Sequence, residues 1–130
     1  MMQVLAILVV ALGGAIGASL RWGLAQLLLR YDSDRSSTAV PWATLAANLI
    51  ACFVLGIVVP LLASAPSGPG LLAYLALGTG ICGALSTFST FTLELVTLYR
   101  AGAPVVALGY LLVTIGGAMG ALWVGLVIAT

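Results

Sequence analysis

The chain has 130 residues, 63% of them hydrophobic and 5% charged, with a formal net charge of +1 and a mean hydropathy of +1.29. A soluble domain carries about a quarter charged residues, so this composition cannot cover a water-facing surface and belongs in lipid. The balance of +1 offers no field that would hold nucleic acid. With no histidine and 3 acidic residues, the groups that acid–base, metal or nucleophilic catalysis needs are missing, and no enzyme is expected.

The first apolar segment covers residues 4–29 and is interrupted by Arg21. It lacks a basic leader and a small-residue cleavage site, so it reads as a retained helix. A polar connector follows at 31–37, and a second apolar segment at 41–62. Residues 64–70 are a turn-rich linker. The third segment, 71–99, is longer than the ~20 residues that cross a bilayer, so it must tilt, protrude or break. After a short turn, Pro104 is placed to open the fourth segment at 105–128. Trp22, Tyr31, Trp42, Tyr99 and Trp123 fall near segment ends, where amphipathic rings prefer the interface. The expectation is an all-α, single-domain integral membrane protein of four transmembrane helices.

Small residues recur at close-packing spacing, as Gly13 with Gly17 and Gly116 with Gly120. Such pairs serve packing within the chain or against a second subunit. Cys52 and Cys82 lie in apolar runs without metal-ligand spacing and read as small buried residues. Residues 78–83 match G-x-G-x-x-G, but neither the strand nor the following acid of a dinucleotide site accompanies them.

Polar atoms within the apolar segments carry the functional information. The stretch 80–91 gathers glycine, hydroxylic and phenyl side chains in the middle of the third segment. These residues weaken a helix, and non-helical backbone survives at this depth only inside protein or beside a wet cavity. The third helix is therefore expected to break near Gly83 to Ser86, freeing carbonyls for a cation and helix N-termini for an anion. Asn48 sits mid-segment, as interhelical glue or as a donor on a permeation path. Tyr110 and Thr114 share one face of the fourth helix. The bland alternative there is a capped tyrosine and a threonine bonded back to its own helix. Arg21 faces a vestibule or snorkels to the interface. Amides, hydroxyls and guanidinium donate, and only Glu94 is an anion within an apolar stretch, so an anion is the favoured permeant. The positive edges of Phe88 and Phe91 suit the same ion.

These residues resemble the Fluc/CrcB fluoride channels over essentially the full chain. Residues 13–22 (GGAIGASLRW) resemble the family's G-G-x-x-G-A-x-x-R-[YW], 42–51 (WATLAANLIA) its G-T-L-x-V-N-x-x-G, and 80–91 (GICGALSTFSTF) its G-F-x-G-G-x-T-T-F-S-T-F. Departures include Ala84 for glycine, Ser86 for threonine, Ala51 for glycine, and Ala118 where a hydroxyl would follow Thr114.

The resemblance implies a passive fluoride channel in the bacterial cell membrane, lowering fluoride toxicity. Phe88, Phe91 and Asn48 would line the pore. Ser89, Thr90, Tyr110 and Thr114 would supply polar contacts, and Arg21 would serve the vestibule or the subunit contact. Gly83 and Ser86 would give backbone carbonyls to a structural sodium ion. The partner would be an inverted copy of the chain, giving an antiparallel dimer. Four spans put both termini on one side, with Arg30, Arg35 and Arg100 on the other. That charge pattern favours one orientation, so either insertion is dual or a related, oppositely oriented chain completes a heterodimer. A proton-coupled small multidrug-type exporter would need a central carboxylate, which helix 1 lacks. A non-transporting assembly subunit would leave the polar run 86–91 without a purpose.

Overall fold

The computed structural model describes residues 1–31, 38–64 and 67–130, with 29–31 given by backbone alone. Asp32, Asp34 and Arg35, and most of the 31–37 connector with them, lie outside the described residues. Helix α1 spans Met2–Tyr31 and α2 spans Trp42–Leu62. The third span runs Gly68–Arg100. It begins as α3 (Gly68–Tyr74) and widens into a π-helical stretch, Leu75–Cys82. One α-turn follows, α4 (Gly83–Leu85), and then α5 (Phe88–Arg100). Helix α6 spans Pro104–Ala129. All four spans are long and apolar enough to cross a bilayer, and the protein is an all-α multi-pass membrane protein.

Backbone-to-backbone packing decides which helices pair. α1 lies on the π-helical stretch, where a Cβ on Gly13 would sit 2.4 Å from the Ala76 carbonyl oxygen and one on Gly17 2.4 Å from that of Ile81. α2 lies on α6 in the same manner. A Cβ on Gly56 would meet the Leu122 oxygen at 2.2 Å, and one on Gly125 the Phe53 oxygen at 2.4 Å. In lipid no hydrophobic force drives helices together, so close approach at glycine is the available source of packing energy. The Gly13–Gly17 pair thus serves packing within the chain. Gly116 and Gly120 do not: a Cβ at either position would meet nothing within 4 Å. The glycine of α6 that matters inside the chain is Gly125.

The last turn of the third span is closed by Gly102 at φ 79°, with Ala103 N–H donating to the Leu98 carbonyl and Gly102 N–H to that of Tyr99. This left-handed cap places Pro104 at the start of α6. Hydroxyls on exposed helix faces are satisfied locally. Ser19, Thr92 and Thr97 each donate to the carbonyl four residues earlier, at 2.8 Å.

Candidate functional site

The backbone leaves the helical region at two residues of the third span. Ser86 has φ −73° and ψ 152°, and Thr87 φ −149° and ψ 119°. The stretch expected to break, near Gly83 to Ser86, meets this at Ser86, while Gly83 itself is helical at φ −64° and ψ −35°. The physical reason lies in Thr87. Its Oγ1 accepts the N–H of Thr90 at 3.2 Å and caps α5, so the new helix starts where a capping hydroxyl is available rather than where glycine merely weakens the old one.

Asn48 holds the two extended residues in place. Thr87 N–H donates to Asn48 Oδ1 at 2.8 Å, and Asn48 Nδ2 donates to the Thr87 carbonyl at 3.4 Å. The side-chain amide thus pairs with one residue of main chain as a neighbouring strand would. Two donors are diverted as a result. Thr87 N–H, which an unbroken helix would offer to the Gly83 carbonyl, goes to Asn48. Thr90 N–H, which would go to the Ser86 carbonyl, goes to Thr87 Oγ1.

Beside this turn lies a cavity of about 220 Å³, whose walls include Asn48, Ser86, Phe88, Phe91 and Thr114. Five sequence-expected residues are therefore brought together from α2, the extended turn, α5 and α6. Phe91 is 4% exposed. Its ring centroid lies 6.1 Å from that of Phe88 and 5.3 Å from that of Tyr110, tilted by 48° and 56°. Phe88, by contrast, is 79% exposed on the single chain. The Thr114 hydroxyl is buried without a hydrogen-bond partner among the described residues. It does not bond back to its own helix, unlike Ser19, Thr92 and Thr97. Ala118 stands one turn further along the same wall, where it adds no hydroxyl.

Tyr110 is capped. Its hydroxyl donates to Glu94 Oε2 at 2.8 Å, while Thr44 donates to Oε1 at 2.8 Å. One carboxylate thereby ties α2, α5 and α6 together. Thr44, Thr87 and Glu94 were not among the site residues expected from sequence. Thr44 lies one turn from Asn48 on the same face, and Glu94 three residues from Phe91, so a search along helix faces finds both. Ser89 and Thr90 are exposed and gather at Thr87, with hydroxyl separations of 3.4 and 3.0 Å. Neither lines the cavity. Arg21 is half-buried on α1, and no hydrogen bond or ion pair joins it to another described residue. Gly83 and Ser86 share a second, smaller cavity with Cys52 and Cys82.

A family model described as CrcB-like protein, Camphor Resistance (CrcB), matches residues 8–126. The chain belongs to the CrcB family. Similar proteins named fluoride-specific ion channel FluC come from several bacteria. That of Rhizobium leguminosarum bv. trifolii is 37% identical over 121 residues, 93% of each chain. That of a Chelativorans species is 38% identical over 123 residues, 95% of this chain and 94% of the other. That of Nitrosomonas europaea is 40% identical over 113 residues, 87% of this chain and 84% of the other. The match takes in every element of this CrcB-family site, from Arg21 on α1 to Thr114 on α6.

Proposed function

We propose that this chain is a passive fluoride channel that lets cytoplasmic fluoride leave the cell. One observation carries the reading beyond the names of the relatives. The cavity beside the extended turn is lined by hydrogen-bond donors and two phenyl rings and by no carboxylate. Thr114 offers an O–H with no partner, and Asn48 keeps one of its two amide hydrogens after pairing with Thr87. Phe88 and Phe91 line the same space, and ring edges turned inward would add weak positive potential. A path of this kind solvates fluoride without holding it tightly, as conduction requires. Hydrogen fluoride enters cells uncharged and ionises in the less acidic interior, so a channel needs no fuel to export the trapped anion.

The same reading includes a structural sodium ion held by the carbonyls of Gly83 and Ser86. Both carbonyls have lost their ordinary helical donors, which go to Asn48 and to Thr87. Carbonyl oxygens are suitable ligands for a hard cation. A bound sodium would supply positive charge beside the anion path. One chain offers two such oxygens, so an inverted second chain, identical or closely related, would complete the set. The exposed Phe88 ring and the open Gly116–Gly120 face are in keeping with that partner. Glu94 is held by two hydroxyl donors, which argues against its acting as the free carboxylate of a proton-coupled exporter.

The test is fluoride efflux from liposomes containing the purified chain alone. Fluoride should leave without a proton gradient, and chloride should stay. Efflux that demands a pH gradient, or equal chloride flux, overturns the channel reading. An inactive chain that recovers with a related, oppositely inserted chain indicates the heterodimer.

A further inference from the structure

Two thiols remain that the fluoride path does not use. Cys52 on α2 and Cys82 at the end of the π-helical stretch both carry free thiols. Both line one cavity of about 100 Å³, with Ala51, Gly78, Gly83 and Ser86 around them. Cys52 also lines the larger cavity with Asn48, Phe91 and Thr114. Cys52 is therefore a residue shared by the two spaces. Cys82, only 3% exposed, belongs to the smaller one.

The cavity has the ligand character for one class of ion. Thiolates are soft ligands and select soft metals over sodium, magnesium or calcium. Two thiolates also neutralise a divalent cation, and neutrality matters where an uncompensated charge would be costly to bury. We propose that Cys52 and Cys82 form a binding site for a soft, thiophilic divalent cation of the mercuric type, and that its occupancy obstructs the adjoining anion path. On binding, two S–H bonds break and two sulfur–metal bonds form. Both protons pass to solvent, and no electron is transferred. The obstruction rests on the channel reading; the binding rests on the cavity alone.

The experiment uses the full chain and mercuric chloride, with two readouts. Intact mass and sulfur-to-mercury absorbance of the purified protein should give one mercuric ion per chain, with two thiols consumed. Cys52→Ala or Cys82→Ala should weaken binding roughly a hundredfold, because the second ligand no longer acts within the same site. The double variant should bind none. In liposomes, mercuric chloride should stop fluoride efflux from the wild-type chain and leave the double variant's rate, whatever its starting value, unchanged. One ion per thiol in the wild-type chain, or undiminished binding in either single variant, means two independent thiols and overturns the site. Inhibition that survives in the double variant places the effect elsewhere. Absence of efflux before mercury is added defeats the channel reading alone, since the stoichiometry still tests the site.

Discussion

The side-chain amide of Asn48 and the main chain of Thr87 are paired in both directions, at 2.8 and 3.4 Å. This pairing lets a transmembrane helix stop and restart without stranding a buried N–H in lipid.

Removing the amide should therefore damage structure and transport together. Asn48→Ala leaves the buried Thr87 N–H unpaired, a loss of about 1–3 kcal/mol. Asn48→Asp keeps the acceptor and removes the donors. Thermal unfolding in detergent should rank wild type above both variants, since aspartate sets an acceptor against the Thr87 carbonyl. Fluoride efflux should fall in both variants. An alanine variant that melts like wild type would contradict this account of the turn.

The two phenylalanines should behave differently when replaced by isoleucine. Phe88 is 79% exposed on the single chain, so Phe88→Ile should lower flux with little change in monomer stability. Phe91 touches both Phe88 and Tyr110. Phe91→Ile should lower flux and also lose about 0.5–1.5 kcal/mol of ring–ring contact. Normal conduction by either variant removes its ring edge from the path.

Glu94 should be a structural tie. Glu94→Ala frees Thr44 and Tyr110 at once, and unfolding should become easier by about 1–3 kcal/mol. Glu94→Gln keeps an oxygen for one hydroxyl and should recover part of that loss. If the alanine variant unfolds at the wild-type temperature, the three helices are held by packing alone.

Sodium dependence should survive Ser86→Ala, because the proposed ligand is a carbonyl rather than the hydroxyl. A Cβ at Gly83 meets nothing within 4 Å in the single chain. Gly83→Ala should therefore fold normally, and any loss of sodium-dependent flux would arise at the second subunit. Replacing sodium with a large organic cation should reduce wild-type flux. Equal flux in both salts would remove the ion from the proposal.

Glycine substitutions should separate folding from assembly. Gly56→Ala places a Cβ 2.2 Å from the Leu122 oxygen and Gly125→Ala one 2.4 Å from that of Phe53, so both should unfold more easily. Gly116→Ala and Gly120→Ala meet open space in the single chain. They should leave its stability unchanged and shift the monomer–dimer balance in detergent, read by light scattering.

The sequence by itself determined the solvent, the four spans and the chemical character of the interior. With 5% charged residues the surface has to face lipid, and span length follows from bilayer thickness. Asn48, Phe88, Phe91 and Thr114 were legible as a group because polar and aromatic residues within a span demand an explanation. Tertiary structure decided the remainder. Within and just past the expected stretch 83–86, the extended residues are Ser86 and Thr87, because a cap on α5 and an amide from α2 are both needed to satisfy the freed backbone. The Gly13–Gly17 and Gly116–Gly120 pairs have the same spacing, yet only the first lies against another helix. The tie among Thr44, Glu94 and Tyr110 joins residues as far as 66 positions apart in the chain. A span's apolar length is a local property that one segment reveals. A buried hydrogen bond needs two segments in register, and only the packed bundle brings them there.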